Sequence, residues 1–497
     1  MNTCAPLSTH AALSRLSDRT LLRTLGHVGG LWTASPDAAD FAVTDPASGA
    51  TVARVASLGL AETDVAIAAA TAAFPAWRDR LPQERARVLR KWGELMLAAT
   101  EDLALIMTLE QGKPLAESRG EIAYAAEFLD WYAGEALRVN AESVTPHLRD
   151  VEMIVRREPL GPVGVVTPWN FPSAMITRKV AAALAAGCTC VVHPSAETPL
   201  SALALAELAE RAGLPAGVMN VVPGDAATIV GAMCTDPRLR AMSFTGSTGI
   251  GRLIAAQCAP TMKRLMMELG GHAPLIVFAD ADLDRAVKIA MDAKFATSGQ
   301  DCLAANRIYV ERAILPAFAA RLAGRIAALK VGPGLEPATD IAPLIHARAL
   351  EKVAEQVKDA VARGGRIVTG GGVDPDLALA YRPTLIEGAP DDALIHREET
   401  FGPVASLLPF DSEAEVIARA NDTEYGLAAY VVTRDCARAL RLSRALEFGM
   451  VAVNRVKITG GPIPFGGWKQ SGLGREGSRH GMEAFTELKY LCIDTAA

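Results

Sequence analysis

Apolar segments of strand length alternate with helical patterns through the middle of this chain, and that alternation constrains its fold more than any other feature. Strands that alternate with helices form parallel sheets whose faces the helices cover. A second series of the same kind lies between residue 273 and about residue 453. The chain is therefore predicted to be an α/β protein. The strands expected in the first series are residues 163–166, 190–192, 218–222 and 242–244.

The segments that flank the alternating series are predicted to form additional layers. A helix is expected from Thr63 to Pro75, because proline lacks the amide hydrogen that a helix interior requires. Residues 140–150 are polar and precede an expected strand at 151–156, which indicates an excursion from the body of the protein. Another strand is expected at residues 485–493.

Length, charge and cysteine content exclude several classes of protein. With 497 residues the chain is too long for one hydrophobic core. Its net charge of −6 argues against a protein that binds nucleic acid. No run of about 18 apolar residues predicts a membrane span. The N-terminal residues lack the apolar region of a signal peptide, so the cytoplasm is the expected compartment. The eight cysteines are scattered without a second ligand pair, which predicts reduced thiols and no metal site.

Four loops that follow strands of the first series are rich in small and polar residues. The carboxyl ends of parallel strands meet at one edge of a sheet, where such folds bind ligands. The loop at residues 245–251 also begins a helix, whose N-terminal backbone amides can contact a phosphate. Taken alone, this loop could be an ordinary turn. Together they predict a nucleotide crevice. The loops are residues 167–172, 193–197, 223–225 and 245–251.

Cys302 differs from the other cysteines because the residues that precede it, 298–301, are small or polar. A lone cysteine is usually a small buried hydrophobe, which is the prediction for the other seven. At a pKa of about 8.5 few thiols ionise at neutral pH, so a nucleophilic Cys302 needs a base. Glu268, at the end of an expected strand, is the candidate. Glu399 lies in a second carboxylate loop that is either a solvated turn or part of the same site.

Nine short motifs lie at fixed separations: LEQGKPL at 109–115, TPWNFP at 167–172, ITRK at 176–179, SFTGST at 243–248, ELGG at 268–271, GQ before Cys302, ETFGP at 399–403, PFGG at 464–467 and SGLGRE at 471–476. The chain thereby resembles the aldehyde dehydrogenase superfamily, and most of all its succinate-semialdehyde dehydrogenase branch. The resemblance extends from about Gly30 to Ile493.

The resemblance implies two Rossmann-like parallel-sheet domains, one for the cofactor and one for catalysis, with a small β oligomerisation flap. Members of the superfamily assemble as homo-oligomers, so a homodimer or homotetramer is expected. The implied domains are residues 1–138 with 161–268 for NAD(P) binding, 269–466 for catalysis, and 139–160 with 467–497 for the flap and C-terminal strand.

The resemblance also implies a reaction and the residues that perform it. Cys302 would attack an aldehyde, Asn170 and the Cys302 amide would bind the oxyanion, and Glu268 would activate the water that hydrolyses a thioester. The cofactor would be NAD or NADP. The implied cofactor contacts are Thr167, Trp169, Asn170, His193, Pro194, Ser195, Ala196, Gly224, Gly246, Ser247, Leu269, Glu399 and Phe401.

Two departures from the family pattern bear on the choice between NAD and NADP. His193 replaces a lysine that reaches the adenosine ribose or a 2′-phosphate, and a neutral imidazole is a poorer partner for a phosphate. Ala196 replaces a glutamate that often repels this phosphate in NAD-selective members. The two changes act in opposite directions, and NAD is the expected cofactor.

The implied substrate contacts are Arg178, Asp301 and Thr459. Arg178 matches an arginine that pairs with the distal carboxylate of the substrate, but a second arginine of the branch is Ala296 here. Asp301 would raise the thiol pKa and repel a carboxylate if it faces the pocket. Succinate semialdehyde is the first substrate expected, with another ω-semialdehyde, an aminoaldehyde or an aliphatic aldehyde as alternatives. The presence of both catalytic side chains argues against a coenzyme A-acylating enzyme and against a non-catalytic binding protein.

Overall fold

Short strands and a helical layer form the N-terminal part of the protein. The structure, a computed structural model, describes residues 10–496, so Cys4 lies outside the described residues. The strands β3 and β4 pair as an antiparallel hairpin of their own. The elements are β1 (Gly26–Val28), β2 (Leu31–Thr33), β3 (Asp40–Thr44), β4 (Thr51–Ala56), α1 (Leu60–Arg78), α2 (Pro82–Ala98), α3 (Thr100–Gln111) and α4 (Leu115–Ala136).

The prediction that helix α1 ends at Pro75 is wrong, because the helix continues to Arg78. A proline costs one backbone hydrogen bond, but here it lies in the last turn. Trp77 is buried in that turn, and its indole Nε1 donates to the carbonyl of Leu184 at 3.2 Å. This tertiary contact fixes the turn that follows the proline.

The first sheet contains the strands that the alternating pattern predicted. Its parallel strands follow the order β11-β10-β7-β8-β9, and β1 and β2 extend it by antiparallel pairing. Every residue of β7, β8 and β10 is buried, as expected for strands covered on both faces. The elements are β5 (Glu142–Val144), β6 (Val151–Pro159), β7 (Pro162–Val166), α5 (Ala174–Ala186), β8 (Thr189–His193), α6 (Pro199–Arg211), β9 (Met219–Val221), α7 (Ala226–Thr235), β10 (Ala241–Thr245), α8 (Thr248–Cys258) and β11 (Arg264–Glu268).

The second sheet follows the order β14-β15-β16-β13-β12-β17-β18, and only β14 in it is antiparallel to its neighbour. The two Rossmann-like sheets confirm the predicted fold class. The elements are β12 (Ala273–Val277), α9 (Leu283–Phe295), β13 (Ala305–Glu311), α10 (Leu315–Ala327), α11 (Ala347–Ala362), β14 (Arg366–Thr369), β15 (Thr384–Glu387), α12 (Leu394–Arg397), β16 (Val404–Phe410), α13 (Glu413–Asn421), β17 (Ala428–Val432), α14 (Cys436–Ala445) and β18 (Met450–Val453).

The C-terminal elements are β19 (Gly472–Leu473), α15 (Ser478–Glu483) and β20 (Thr486–Asp494). Strand β20 pairs with β6 over nine residues, and β5 completes a three-stranded antiparallel sheet. The predicted flap segment 467–497 is divided, however, because β19 pairs with β11 in the first sheet. The remaining domain boundaries stay predictions. No helix within residues 10–496 has both the length and the apolar composition needed to cross a bilayer.

Candidate active site

A very close backbone contact brings the end of β11 against the loop that contains Cys302. A Cβ atom on Gly271 would lie 2.1 Å from the Cys302 carbonyl oxygen, so only glycine allows this approach. Glu268 is the last residue of β11, three residues earlier. The predicted base and nucleophile therefore lie on two segments in direct contact.

The segment before Cys302 has a strained backbone that neighbouring elements stabilise. Thr297 and Ser298 have φ values of +50° and +54°, a region that residues other than glycine rarely occupy. The Thr297 amide donates to both carboxylate oxygens of Glu117, at 3.0 and 3.1 Å. The Ser298 hydroxyl donates to the Ala342 carbonyl at 2.8 Å. Glu117 and Ala342 thus fix the loop, and sequence reasoning identified neither.

Asn170 lies beside this loop and is fixed at both its side chain and its backbone. Its Nδ2 donates to the Gln300 carbonyl at 3.1 Å, which leaves the second amide hydrogen for an oxyanion. Lys113 Nζ donates to the Asn170 carbonyl and to Glu121 Oε2, both at 2.6 Å. Glu121 Oε1 in turn accepts the amide of Ser173 at 2.8 Å. Lys113 and Glu121 have no assigned role in the sequence prediction.

A cavity of about 340 Å³ opens at the edge of the first sheet and reaches Cys302. Thr245 Oγ1 borders it and is a buried polar atom without a hydrogen-bond partner. The rings of Trp169 and Phe401 meet edge to face in its wall at 5.4 Å. The predicted residues in its lining are Trp169, Asn170, Gly246, Ser247, Leu269, Cys302, Glu399 and Phe401; further lining residues are Pro168, Thr245, Gly270, His346, Arg348, Ala349 and Lys352.

Glu399 belongs to this site and is not a solvated turn. The Gly271 amide donates to its Oε1 at 2.9 Å. Burial raises the pKa of Glu399 to about 7. The segment 268–271 is therefore connected to the cavity wall through this carboxylate.

Other predicted cofactor residues lie at the carboxyl ends of adjacent strands, outside the lining of this cavity. His193 ends β8, is buried, and its Nδ1 lies 2.9 Å from the Val222 carbonyl. Burial lowers the pKa of His193, which favours the neutral imidazole. Ala196 borders a separate cavity of about 250 Å³. The residues placed at these strand ends are Thr167 after β7, His193, Pro194, Ser195 and Ala196 at and after β8, and Gly224 after β9.

Glu268 is buried, and neither of its carboxylate oxygens has a hydrogen-bond partner in the part of the chain that the structure describes. Burial raises the pKa of Glu268 well above its ordinary value, and the charge of Glu476 raises it further. A carboxylate without fixed donors can exchange a proton with a nearby thiol or water.

The pKa of the Cys302 thiol, like that of Glu268, is strongly shifted. Burial raises its pKa well above the ordinary value, and the charges of Asp301 and Glu399 raise it further. The rise that the sequence predicted from Asp301 is therefore present. In this state the thiol is protonated at neutral pH, so the reaction requires a base.

Arg178 has a charged partner within the protein, and its role as a substrate contact stays a prediction. It is fully buried, its Nε forms an ion pair with Glu476, and its guanidinium lies 4.0 Å from the ring of Phe465. Lys179 Nζ also forms an ion pair with Glu476. Burial raises the pKa of the Tyr124 hydroxyl, and the side chains of Arg178 and Thr459 act in the opposite direction.

A cavity at the carboxyl ends of parallel strands, a partly buried thiol, an amide donor and a carboxylate that accepts no hydrogen bond within residues 10–496 are the features expected of an oxidoreductase with a nucleophilic cysteine. The chain belongs to the aldehyde dehydrogenase family, whose model matches residues 32–491.

Three similar proteins illustrate the relationship. The NADP(+) succinate-semialdehyde dehydrogenase of Escherichia coli (strain K12) is 48% identical over 96% of this chain and 99% of the relative. The non-phosphorylating aspartate-semialdehyde dehydrogenase of Halomonas elongata is 50% identical over 97% of both chains. A crystal structure of succinate-semialdehyde dehydrogenase from Burkholderia pseudomallei has a TM-score of 0.95 and 48% identity, and covers 96% of this chain and 99% of that chain.

Proposed function

We propose that this aldehyde dehydrogenase oxidises a short semialdehyde with a distal carboxylate to its acid, succinate semialdehyde being the first substrate to test. The observation that supports this reaction is the close contact between the segments of Glu268 and Cys302 beside a cavity of about 340 Å³ that Cys302 lines. The reaction needs a nucleophile, an oxyanion donor and a base for water, and the three side chains supply these functions.

The cavity suits a nicotinamide dinucleotide. Ser247 caps the N-terminus of α8, where the backbone amides of the first turn can donate to a pyrophosphate. The partnerless Thr245 hydroxyl and the aromatic pair Trp169–Phe401 offer a polar contact and flat apolar surfaces. When bound, the oxidised nicotinamide supplies the hydride acceptor for the reaction.

The proposed steps follow from the proton positions in the site. Glu268 takes the proton of the Cys302 thiol, and the thiolate attacks the aldehyde carbon to form a thiohemiacetal. The oxyanion accepts hydrogen bonds from Asn170 Nδ2 and the Cys302 amide. Loss of hydride leaves a thioester on Cys302. Glu268 releases the first proton to solvent and then removes a proton from water. The resulting hydroxide attacks the thioester carbon, the carbon–sulfur bond breaks, and the acid leaves while the Cys302 sulfur takes up a proton.

A cluster of polar side chains supports a carboxylate-bearing substrate. Arg178 and Thr459 both lower the pKa of Tyr124, and we infer that the hydroxyls of Tyr124 and Thr459 bind one anion near the positive charge of Arg178. Both relatives described above are named for four-carbon semialdehydes that carry a carboxylate. Another ω-semialdehyde, an aminoaldehyde or an aliphatic aldehyde are the alternatives.

Steady-state kinetics on an aldehyde panel test this proposal. Succinate semialdehyde is expected to exceed butanal in kcat/KM by about tenfold or more, because only the former has an anion for the polar cluster. Tyr124→Phe removes one hydroxyl and is expected to lower kcat/KM for succinate semialdehyde while butanal, the matched control, is little affected. Equal kcat/KM for both aldehydes in the natural protein would exclude a carboxylate-specific function.

NAD is the proposed cofactor, because within residues 10–496 the charge that acts on His193 comes from an acidic side chain and not from a cation. His193 is buried with a lowered pKa, and the neighbouring charged side chains, Glu197 and Asp225, are acidic.

A comparison of the two cofactors checks this proposal. The natural protein is expected to have about tenfold higher kcat/KM with NAD than with NADP. His193→Lys is expected to lower this ratio, because the lysine adds a cation that can bind the 2′-phosphate of NADP. About tenfold higher kcat/KM with NADP than with NAD in the natural protein would contradict the proposal that NAD is the cofactor. The relative from Escherichia coli is named for NADP(+), so this outcome has a precedent.

A homodimer or homotetramer in the cytoplasm is also proposed. The three-stranded sheet β5-β6-β20 exposes large apolar side chains, which a second copy of the chain can cover. Seven cysteines in the described part of the chain are free, as expected in a reducing compartment. The exposed apolar residues of the sheet are Val144, Leu488, Tyr490 and Ile493.

A further inference from the structure

We propose that the buried ion pair of Lys113 and Glu121 positions Asn170, so that the side-chain amide of Asn170 meets the oxyanion of the reaction. The inference rests on the proposed function, because it concerns a donor of the thiohemiacetal step. Lys113 and Glu121 act through Asn170 and not on the reacting atoms, so they are positioning residues and not catalytic residues.

The Lys113 ammonium lies between helix α4 and the loop of Asn170. Its Nζ donates to Glu121 Oε2 and to the Asn170 carbonyl, both at 2.6 Å, and lies 4.1 Å from the centre of the Phe171 ring. The side chains of Lys113 and Glu121 are each only 1% exposed. Helix α3 ends at Gly112, whose φ of +95° favours glycine, and Lys113 follows this turn directly. The charge of Lys113 is therefore neutralised inside the protein, against the loop of Asn170.

The other oxygen of Glu121 binds the start of α5, shortly after Asn170. Glu121 Oε1 accepts the amide of Ser173 at 2.8 Å and the amide of Ala174 at 3.1 Å. Lys113 thus holds the carbonyl of Asn170, and its carboxylate partner holds the amides that follow. Because both ends of this short segment are bound, the backbone of Asn170 has one defined position, from which its side chain extends.

Helix α4 also holds the segment that supplies the second proposed oxyanion donor, the amide of Cys302. Glu117 lies in α4 one helical turn before the carboxylate of the ion pair, and both its oxygens accept the Thr297 amide, at 3.0 and 3.1 Å. The Asn170 side chain joins the two segments, since its Nδ2 donates to the carbonyl of Gln300 at 3.1 Å. Both donors are therefore fixed relative to one helix.

The cost of burying this ion pair indicates a role beyond stability. Two charges that leave water lose their hydration, and replacing a buried ion pair with apolar side chains is often neutral for stability. An oxyanion donor, in contrast, must lie within about 0.5 Å of its productive position. A charge-assisted hydrogen bond is shorter and stronger than a neutral one, so the Lys113 ammonium holds the Asn170 carbonyl more firmly than a neutral donor would.

A double-mutant cycle between Lys113 and Asn170 tests the inference, with the best aldehyde of the panel and the full-length protein. Lys113→Met is expected to lower kcat by about tenfold or more with little change in KM for the cofactor, because methionine cannot donate to the Asn170 carbonyl. Asn170→Ala removes the oxyanion donor and is expected to lower kcat by about 10²-fold or more. In the Asn170→Ala protein, Lys113→Met is expected to change kcat by less than about twofold, because no amide remains to be positioned. Equal factors in the two backgrounds would overturn the inference.

The double variant Lys113→Met/Glu121→Gln separates positioning from stability. Lys113→Met alone leaves a buried carboxylate without its cation, so Tm is expected to fall by about 3 °C or more. In the double variant no charge is unpaired, and the glutamine oxygen can still accept the amides of Ser173 and Ala174. Most of the loss in Tm is expected to be recovered, whereas kcat stays low. Recovery of kcat together with Tm would show that the pair is only structural and would overturn the inference.

The matched control is Lys91→Met, because Lys91 forms an exposed ion pair with Glu94, and natural kcat is expected for it. The cycle is also run with the double variant, which covers the case of a Lys113→Met protein that does not fold. If Asn170→Ala lowers kcat but the cycle shows independent effects, the inference fails and the proposed function stands. Natural kcat in Asn170→Ala would overturn the proposed oxyanion donor and the inference with it.

Discussion

Cys302→Ser is expected to lower kcat/KM for every aldehyde by about 10⁴-fold, because the hydroxyl is a much weaker nucleophile than a thiolate and forms no thioester. The fold and the cofactor site should be retained, since serine is nearly isosteric and Cys302 is only partly buried. The loss is measured from initial rates of reduced cofactor formation, and cofactor binding is measured separately by fluorescence titration.

Cys436 provides the matched control for this substitution. It is exposed and lies at the start of α14, away from the cofactor cavity, so Cys436→Ser should retain full activity. Alkylation by iodoacetamide should label Cys302 faster as the pH rises, because its raised pKa keeps the thiol protonated at neutral pH. Retention of aldehyde oxidation in Cys302→Ser would show that another group is the nucleophile.

Glu268→Gln is expected to slow the ionisation of Cys302 and, more strongly, the hydrolysis of the thioester. The thiol can still lose its proton to solvent, whereas water needs a base at the moment of attack. The expected result is a burst of about one reduced cofactor per active site, followed by steady-state turnover about 10²- to 10³-fold slower. The physical reason is that an amide cannot accept the proton that water must lose. Rapid mixing with saturating aldehyde measures the burst, and mass spectrometry of the denatured protein detects the acylated Cys302.

The pH profile of Glu268→Gln provides a further check. Because burial and Glu476 raise the pKa of Glu268, its basic form is populated only above the ordinary carboxyl range. Deacylation in the natural protein should therefore increase with pH as Glu268 ionises, and the variant should lose this increase. Glu336→Gln, at an exposed position, is the matched control and should show the natural profile. Natural steady-state turnover in Glu268→Gln would exclude Glu268 as the base.

The ion pairs that Arg178 and Lys179 form with Glu476 explain why the Glu268 carboxylate has no hydrogen-bond partner among the described residues. Arg178 and Lys179, consecutive residues of α5, both form ion pairs with Glu476 and are fully buried with it. Their charges are largely compensated there, so Glu268 receives electrostatic stabilisation from them without a hydrogen bond. The lone pairs of Glu268 are therefore free to accept a proton in the proposed hydrolysis of the thioester.

The sequence predicted the two parallel sheets because strands buried on both faces require continuous apolar segments. Residues 163–166 and 190–192 became the cores of β7 and β8, which are buried throughout. Pro75 shows the limit of local rules, because Trp77 and its contact with Leu184 decided where α1 ends.

The motifs also predicted many residues that line one cavity, including Cys302, Asn170 and Glu399. They did not predict the supporting contacts, because these come from elements distant in the chain. Glu117 of α4 contacts Thr297 across 180 residues, and Lys113 contacts Asn170 across 57. Three cavity residues at the start of α11 belong to no motif: His346, which caps the helix, and Arg348 and Lys352 within it.

The sequence by itself determined the α/β class, the nucleophile and base expected in the active site, and the loops that carry the cofactor contacts, because local patterns and short motifs encode these. Only the tertiary structure decided which charges are compensated. Arg178 pairs with Glu476, 298 positions away, whereas the Asp301 carboxylate accepts the amide of Leu303, two positions away. Ion pairing depends on distance in space, so the substrate preference of this site depends on contacts that no local pattern contains.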